Sequence, residues 1–349
     1  MKSILLTGGA GYIGSHSCLE LLKNNYKITI LDSLVNSSQK NISRIIKILE
    51  NDIPNVRNNI EFYEGDIRDF KFLEKIFLKK KLSGNYFDGV IHFCGLKSVN
   101  DSFINPIEYW DVNVLGTINL IKVMKIFNCN TLVFSSSATV YGKSNVNPIK
   151  ENTPLNPLNT YGYTKATIER ILSDLYAEKL DKFRIAILRY FNPVGAHESG
   201  LIGELPLGTP NNIFPLLNQV AYRQKEKFKI FGNDWETRDG TCIRDYIHIM
   251  DLANGHLKAL DYLLNNSTQI IRVNLGTAIG TSVLDLIKTF QEVNKVNFPI
   301  EFIGRREGDT AIAIADNSLA KEILNWTPKK TIQDMCMDGF NWHKSINKS

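Results

Sequence analysis

The chain has 349 residues, of which 43% are hydrophobic and 22% charged, and its formal net charge is +5; this average composition excludes disordered and fibrous proteins. The positive charge is scattered along the chain, which predicts no nucleic-acid partner because phosphate binding needs a clustered basic face. Five dispersed cysteines without a CxxC pair predict free thiols and no metal site, and the lack of a signal peptide or of an apolar run of about 20 residues predicts a cytoplasmic protein that does not cross a membrane.

Short apolar runs alternate with amphipathic stretches through the first half of the chain. The runs predicted as strands are 3–7, 27–31, 61–63, 89–94, 131–135 and 184–190, and the stretches predicted as helices are 13–24, 70–80, 107–127 and 161–179. Strands and helices that alternate in this way predict an α/β fold with a Rossmann-type, doubly wound parallel sheet. The loops after the strands should form the ligand crevice.

The pattern changes after Phe191, where turn residues become frequent and short helices and strands mix irregularly. We therefore predict a dinucleotide-binding domain over 1–191 and a smaller mixed α/β substrate domain over 192–349. A return segment near 240–265 should belong with the first domain, because the apolar run 245–249 can rejoin the sheet and 250–264 can follow it as a helix.

A glycine-rich turn joins the first predicted strand to the first predicted helix. Gly8, Gly11 and Gly14 have the GxxGxxG spacing, which is meaningful in this strand-to-helix context. They allow a tight turn, close approach of a pyrophosphate to backbone N–H groups at the helix N-terminus, and close packing of the helix. Asp32 ends the next strand, where a carboxylate accepts from the adenosine ribose hydroxyls and repels a 2′-phosphate. No arginine follows in 33–36, so the turn predicts NAD and not NADP.

Two polar positions at the ends of later strands have two interpretations each. Asp66 suits the adenine edge of a dinucleotide, or it caps the helix that follows. Ser137, in a run of three serines after the fifth strand, can donate to a sugar oxygen and relay its proton to a base, or it only caps the chain as it turns.

The pair Tyr161 and Lys165 is the strongest candidate for catalysis. Residues four apart lie on one face of a helix, and an ordinary tyrosine has a pKa of about 10, too high for a base at neutral pH. A neighbouring ammonium and a cationic nicotinamide would both favour the phenolate and lower that pKa. On most helices a Tyr-x-x-x-Lys pair lies on the surface and has no catalytic role. Downstream of a glycine turn and a serine run, it predicts a base and its partner.

The motifs TGGAGYIGSH, DIRD, IHFCGLKSV, SSSATVYG, YGYTK, LRYFNPVGAH, PNN, IFGND, RDYIHIMDLA and RREGD occur in this order over nearly the whole chain. With them the chain resembles the UDP-glucose 4-epimerases, a branch of the extended short-chain dehydrogenase/reductase superfamily. The resemblance implies cofactor contacts at Gly8, Gly11, Tyr12, Ile13, Gly14, Asp32, Asn36, Asp66, Ile67, Phe93, Cys94, Gly95, Lys97, Asn113, Tyr161, Lys165, Tyr190 and Phe191. It implies substrate contacts at Lys97, Ser137, Tyr161, Asn192, Asn212, Phe231, Arg244, Arg306, Asp309 and Ala313.

The same resemblance implies the activity and the partners. Tyr161 would act as the base with Lys165 and Ser137. Bound NAD would oxidise a UDP-hexose at carbon 4, and the 4-keto sugar would rotate about its diphosphate link and be reduced on its other face. Arg244 and Arg306 would hold the diphosphate, although a single arginine is more often a surface ion-pair partner. The helices 107–127 and 161–179 would pair with a second copy to form a homodimer.

Ala313 departs from the pattern of bacterial enzymes confined to glucose and galactose, which resemble each other in carrying tyrosine at the aligned position. A small residue there predicts that N-acetylated UDP-hexoses are also accepted, unless Ala313 is an ordinary core alanine. Two other functions stay open. A nucleotide-sugar 4,6-dehydratase is disfavoured because Ala138 and Thr139 stand where those enzymes carry Asp and Glu, and a catalytically inactive NAD-binding sensor is disfavoured by Ser137, Tyr161 and Lys165.

Overall fold

The computed structural model of the chain describes residues 1–144, 146–178, 182–208, 210, 212–306 and 308–347. Three residues of the predicted helix and motifs lie outside these ranges: Lys179, Asn211 and Glu307. Within the described ranges, no helix combines the length and the apolar character needed to span a bilayer.

The first half of the chain alternates strand and helix as predicted. Its elements are β1 (Ser3–Thr7), α1 (Tyr12–Lys23), β2 (Lys27–Asp32), α2 (Lys40–Leu49), β3 (Ile60–Glu64), α3 (Phe70–Leu82), β4 (Gly89–His92), α4 (Val99–Ile104), α5 (Pro106–Tyr109), α6 (Gly116–Ile126), β5 (Thr131–Ser137), α7 (Thr160–Ala177), β6 (Arg184–Tyr190) and β7 (Asn192–Val194).

The second half mixes helices with short strands. Its elements are α8 (Ile213–Ala221), β8 (Phe228–Phe231), β9 (Ile243–His248), α9 (Ile249–Asn265), β10 (Gln269–Leu275), β11 (Gly280–Ser282), α10 (Val283–Asn294), β12 (Ile300–Ile303), β13 (Ile312–Ala313), α11 (Ser318–Leu324) and α12 (Ile332–Asn347).

A seven-stranded parallel sheet forms the centre of the molecule, with the order β10-β6-β5-β4-β1-β2-β3. Successive residues of a strand point to opposite faces, so Ile4 and Leu6 pack under α1 and α9, whereas Leu5 packs under α3, α6 and α7. The strand order changes direction between β1 and β4, and ligands of such sheets bind beyond the strand ends at this point. The predicted Rossmann-type fold is confirmed.

Two smaller sheets carry the rest of the second half. Strand β9 pairs with β7, β11 and β13, and β8 pairs with β12. A separate apolar core between α8, α10 and α12 supports them.

The expectation that 245–249 rejoins the large sheet is wrong. The run belongs to β9 of the smaller sheet, and β10 completes the large one. The buried carboxylate of Asp245 fixes this arrangement, because it accepts from the backbone N–H groups of Thr277, Ala278 and Ala315. The following helix α9 does return to the large sheet, against α1. The division of the chain at 191 and 192 stays a prediction.

Three local features differ from the predicted elements. The helix predicted over 107–127 contains a π-helical turn at Trp110–Leu115 between α5 and α6. The serine run lies inside β5 and not after it. Helix α2 was not predicted, although Ile42, Ile45 and Leu49 have helical spacing and are buried.

Candidate dinucleotide and sugar site

The glycine turn has the tight geometry that its spacing predicts. Gly8 has a φ of +73°, and a Cβ built there would lie 2.8 Å from the backbone nitrogen of Cys94. A Cβ on Gly14 would lie 2.3 Å from the carbonyl oxygen of Gly8. Gly11 is the N-cap residue of α1 and makes no side-chain cap, so the first N–H groups of the helix face the turn. This arrangement suits a pyrophosphate.

Asp32 is fixed beside this turn at the end of β2. Its Oδ2 accepts from the backbone N–H of Ala10 at 2.9 Å, and its Oδ1 accepts from Leu34 N–H and from the Ser37 hydroxyl. These hydrogen bonds hold the carboxylate in one orientation at the carboxyl end of β2, where the predicted ribose contact would lie. Asn36 is exposed in the loop that follows.

Asp66 does not cap the following helix. Asp69 does so, by accepting from the N–H of Phe72, whereas Asp66 accepts from the backbone and the guanidinium of Arg68. The neighbouring Ile67 is buried. Asp66 is thus left as a surface carboxylate at the end of β3, where the predicted adenine edge would lie.

Asn113, in the π-helical turn, connects the loop after β4 to α7, the helix that carries Tyr161 and Lys165. The Asn113 side chain accepts from Leu96 N–H at 2.7 Å and donates to the Leu96 carbonyl and to the Thr164 hydroxyl. Gly95 packs against it with a φ of +151°. Burial raises the pKa of the adjacent Cys94 thiol, which is therefore neutral at physiological pH.

Aromatic side chains line the crevice behind this loop. Phe93 lies 4.8 Å and Tyr190 5.7 Å from the ring of His256, centroid to centroid. The Tyr190 hydroxyl is hydrogen-bonded to Ser135. Phe191 is buried in a small separate cluster. Burial, and to a smaller extent the nearby Tyr161, raise the pKa of Tyr190, so Tyr190 lies close to Tyr161.

The structure brings Tyr161, Lys165 and Ser137 together. The Tyr161 ring centroid lies 5.9 Å from Lys165 Nζ, and the Ser137 hydroxyl is near enough to affect the pKa of the Tyr161 phenol. Lys165 donates to the carbonyl of Ser135 at 2.8 Å. Ser137 also accepts from Thr139 N–H at 3.2 Å, so it caps the turn after β5 and contacts the tyrosine at once.

The protein alone does not lower the pKa of Tyr161. Burial raises it to about 12, and the nearby Ser137 hydroxyl lowers it only in part. Burial also lowers the pKa of Lys165 to about 8. Because removal from water penalises each charged form, burial dominates both pKa values, and the lowering of the Tyr161 pKa expected from the lysine is not observed. A second positive charge is needed before Tyr161 can act as a base near neutral pH.

The large sheet and its helices are called the first lobe, and the two smaller sheets with α8, α10 and α12 the second lobe. Five of the predicted substrate residues lie together on the second lobe. Arg306 donates to Asp309 at 2.8 Å, and Arg244 lies 3.5 Å from the same carboxylate. The Arg306 guanidinium stacks 5.3 Å from the Phe231 ring, and Ala313 pairs with Arg244 between β13 and β9. Both arginines are ion-paired, as the simpler interpretation expected, but they converge on one wall.

Lys97 and Asn212 meet at a residue that the sequence did not indicate. Glu204 accepts from Lys97 Nζ at 3.0 Å and from Asn212 Nδ2 at 2.5 Å. Asn192 donates to the Asp245 carbonyl at 2.9 Å. A single acidic residue in a turn-rich segment has no periodic or motif signal, so only the contact with Lys97 across the lobes reveals it.

Among the described residues, no group of three or more His, Cys, Asp or Glu side chains is arranged to hold a metal ion. A glycine turn with a carboxylate at the end of the next strand, combined with a Tyr-x-x-x-Lys helix and a serine beside the tyrosine, is the site of a dinucleotide-dependent enzyme of the short-chain dehydrogenase/reductase class.

Comparison with known proteins places the chain more narrowly. The family model described as GDP-mannose 4,6 dehydratase matches residues 5–338. The chain is 47% identical to the UDP-glucose 4-epimerase of Pasteurella multocida over 99% of its length and 98% of that protein. A UDP-glucose 4-epimerase structure from Stenotrophomonas maltophila, with bound NAD and formylated UDP-arabinopyranose, superposes with a TM-score of 0.93 and 41% identity, covering 100% of this chain and 99% of the other.

A second structure, the UDP-glucose 4-epimerase from Bifidobacterium longum in complex with NAD+ and UDP, has a TM-score of 0.90 and 40% identity, covering 99% of this chain and 98% of the other. The chain belongs to the UDP-glucose 4-epimerase family. The resemblance read from the sequence motifs is thereby confirmed.

Proposed function

We propose that this protein interconverts UDP-glucose and UDP-galactose through a 4-keto intermediate, with NAD as a bound cofactor. The observation that carries the proposal is the convergence of three side chains: the Tyr161 ring centroid lies 5.9 Å from Lys165 Nζ, and Ser137 partly offsets the rise of the Tyr161 pKa. Ser137 ends β5 and the glycine turn follows β1, so both lie at the carboxyl ends of strands in the same parallel sheet. The relatives named above support the choice of NAD and of a UDP-sugar.

The residues of the first domain would hold and orient the cofactor. The glycine turn would receive the pyrophosphate and Asp32 the adenosine ribose, and Lys165 would hold the other ribose. When bound, NAD would supply a hydride acceptor for carbon 4 and a positive charge that favours the Tyr161 phenolate. Ser137 would relay the proton of the 4-hydroxyl to Tyr161, and the return of that proton and of the hydride to the other face of the sugar would leave no net redox change.

The residues of the second lobe would hold the nucleotide firmly and the hexose loosely. Guanidinium groups give bidentate, charge-assisted hydrogen bonds to phosphate oxygens, which suits Arg244 and Arg306 as the diphosphate contacts. Asn192 and Asn212 would be further contacts of the uridine diphosphate, and Lys97 a further contact of the substrate. A firm diphosphate and a loosely held sugar allow the 4-keto sugar to present both faces.

We further propose that N-acetylated UDP-hexoses are substrates. Ala313 is half-buried on β13, opposite Arg244. Its small side chain leaves volume where a tyrosine would stand beside the 2-substituent of the sugar. Ala313 is not part of the buried core, which argues against the simpler interpretation as a core alanine.

A homodimer through the helices 99–126 and 160–177 is the assembly we propose. Phe103, Ile104, Ile107, Trp110 and Tyr163 are all exposed on these helices, and Ile104 and Ile107 are 76% and 78% exposed. Helices α4 and α5 both contact α7, and exposed apolar side chains on neighbouring helices are typical of a protein interface. Light scattering of the purified protein should give twice the chain mass, and Ile104→Glu should give the monomer. The cytoplasmic location stays a prediction.

Product analysis with UDP-galactose and UDP-N-acetylgalactosamine, without added NAD, tests the function. An epimerase that keeps its NAD during purification converts these substrates to UDP-glucose and UDP-N-acetylglucosamine. A 4,6-dehydratase would instead yield a 4-keto-6-deoxy sugar, and an inactive sensor would leave both substrates unchanged. Either of the last two results would reject the proposal.

A further inference from the structure

A fully buried ion pair lies directly behind the catalytic trio. Arg189 on β6 and Glu169 on α7 have side chains that are 2% and 3% exposed. Arg189 Nη2 donates to Glu169 Oε2 at 2.5 Å, and Arg189 Nε donates to Oε1 at 3.0 Å. Taking two charges out of water is costly, and an apolar pair of similar volume often stabilises a protein as well. Stability alone therefore does not explain the pair, and its other hydrogen bonds show which groups it positions.

The carboxylate of Glu169 holds the strand that ends at Ser137. The Ser136 hydroxyl donates to Glu169 Oε1 at 2.6 Å, and both side chains are buried. Ser136 lies between Ser135, whose carbonyl accepts from Lys165, and Ser137, which contacts Tyr161. The carboxylate thus fixes the middle of the serine run.

The guanidinium of Arg189 holds the other side of the same turn. Its Nη1 donates to the Tyr141 hydroxyl at 3.0 Å and to the Glu151 carbonyl at 2.8 Å. Tyr141 ends the 3-10 turn Ala138–Tyr141, which begins directly after Ser137. Its hydroxyl also donates to Asn274 at 2.6 Å. The ion pair therefore holds the residues on both sides of Ser137.

Glu169 belongs to the helix that carries the base. It lies four residues after Lys165 and eight after Tyr161, so the three side chains share one face of α7. One carboxylate thereby links the helix of the base to the strand of the sugar-facing serine. Any slip between them would change the distance from Ser137 to the Tyr161 oxygen.

We propose that Glu169 and Arg189 are positioning residues for catalysis: through Ser136 and Tyr141, their ion pair holds Ser137 in place beside Tyr161. The inference rests on the proposed epimerase function. Neither residue touches substrate or cofactor in this role, and each acts through Ser137. A misplacement of about 1 Å at such a group is costly in rate because proton transfer needs direct contact.

The test uses Ser136→Ala, because replacing Glu169 or Arg189 leaves the other charge buried without a partner and destabilises the fold. Ser136→Ala removes one hydroxyl and keeps the ion pair. Loss of this hydrogen bond should lower kcat roughly fivefold to tenfold, with the KM for UDP-galactose and the bound NAD unchanged. Tyr141→Phe should give the same pattern from the other side.

Ser173→Ala is the matched control. The Ser173 hydroxyl also donates to Glu169, but to its backbone carbonyl, at 2.6 Å. The control removes a hydroxyl from the same residue's surroundings without touching the carboxylate. Its kcat should stay within about twofold of the parent, although its thermal stability falls by a similar amount to that of Ser136→Ala.

A double-mutant cycle separates positioning from general stabilisation. In a Ser137→Ala background, Ser136→Ala should have no further effect on kcat, because the residue through which it acts is gone. An equal loss in both backgrounds, or a parent-like kcat for Ser136→Ala alone, would overturn the inference. A parent enzyme that does not epimerise UDP-galactose would reject the proposed function itself, which distinguishes the two failures.

Discussion

The two lobes of the molecule would recognise their ligands by different physical means. In the first lobe, the proposed pyrophosphate site is made by backbone, namely the glycine turn and the N-terminus of α1. In the second lobe, the proposed diphosphate site is made by side chains, since Arg244 and Arg306 converge on Asp309 from short strands and loops. A backbone site tolerates no change of residue size, whereas a side-chain site loses contacts one at a time.

The largest effect is expected at the proposed base on α7. Tyr161→Phe removes the hydroxyl proposed to take the sugar proton, so kcat should fall at least about a thousandfold. Bound NAD and UDP affinity should both be retained, because neither lobe's binding site changes. Stopped assays of UDP-galactose conversion and the NAD content measure this. Tyr163→Phe, on the exposed face of the same helix, is the control, and full activity of Tyr161→Phe would refute the mechanism.

Gly14→Ala tests the backbone site. The new Cβ would lie 2.3 Å from the Gly8 carbonyl, so the turn must open, and overpacking of this kind costs about 1–3 kcal/mol or more. NAD affinity should fall roughly a hundredfold, and the protein should purify without the cofactor. Gly304→Ala in the second lobe, where no atom lies within 4 Å of the added Cβ, should bind NAD normally. Normal NAD binding by Gly14→Ala would break the contrast between the lobes.

Ala313→Tyr tests the proposed sugar specificity. A bulky ring would fill the volume beside the 2-substituent, so the ratio of kcat/KM for UDP-N-acetylgalactosamine to that for UDP-galactose should fall roughly fiftyfold. Activity on UDP-galactose should persist. Competition between the two substrates, followed by chromatography, gives the ratio directly. An unchanged ratio would mean that Ala313 does not border the sugar.

Arg244→Met tests the side-chain site. Removing one charge-assisted contact to the diphosphate costs about 1.5–3 kcal/mol, so KM should rise roughly twentyfold. The contact is made equally in the ground and transition states, and kcat should therefore change little. Arg238→Met is the control, because Arg238 is paired with Asp285 on the surface of the same lobe. A loss of NAD in Arg244→Met would contradict the assignment of this site to the second lobe.

The smallest effect is a dependence on pH. Burial lowers the pKa of Lys165 from 10.5 to about 8, against the opposing effects of Cys94 and Glu169. The lysine loses its charge above that pH and no longer stabilises the Tyr161 phenolate, so kcat should fall roughly eightfold between pH 7.5 and 9. Between the folded pKa of about 8 and the ordinary value of 10.5, Lys165 binds fewer protons in the folded protein than in the unfolded chain. The free energy of unfolding should therefore rise with pH through that window. A kcat that stays flat to pH 10 would refute the role of Lys165.

The features that the sequence predicted well are those set by local backbone chemistry. Only glycine fits where a Cβ would strike a backbone atom, as at Gly8 and Gly14, and helical geometry alone puts Tyr161 and Lys165 on one face. The alternation of strand and helix likewise follows from the burial pattern of each segment. The substrate contacts came only from the resemblance, since isolated arginines have no spacing that marks them.

What the sequence determined by itself was the Rossmann-type sheet, the glycine turn and the spacing of the base and its lysine, because each depends on neighbours a few residues away. Only the tertiary structure decided that β9 joins the smaller sheet, that burial raises the pKa of Tyr161, and that Glu169 and Arg189 meet behind the serine run. Pairing between strands distant in sequence, removal of water and the meeting of two charges depend on how the whole chain packs, and no local pattern encodes them.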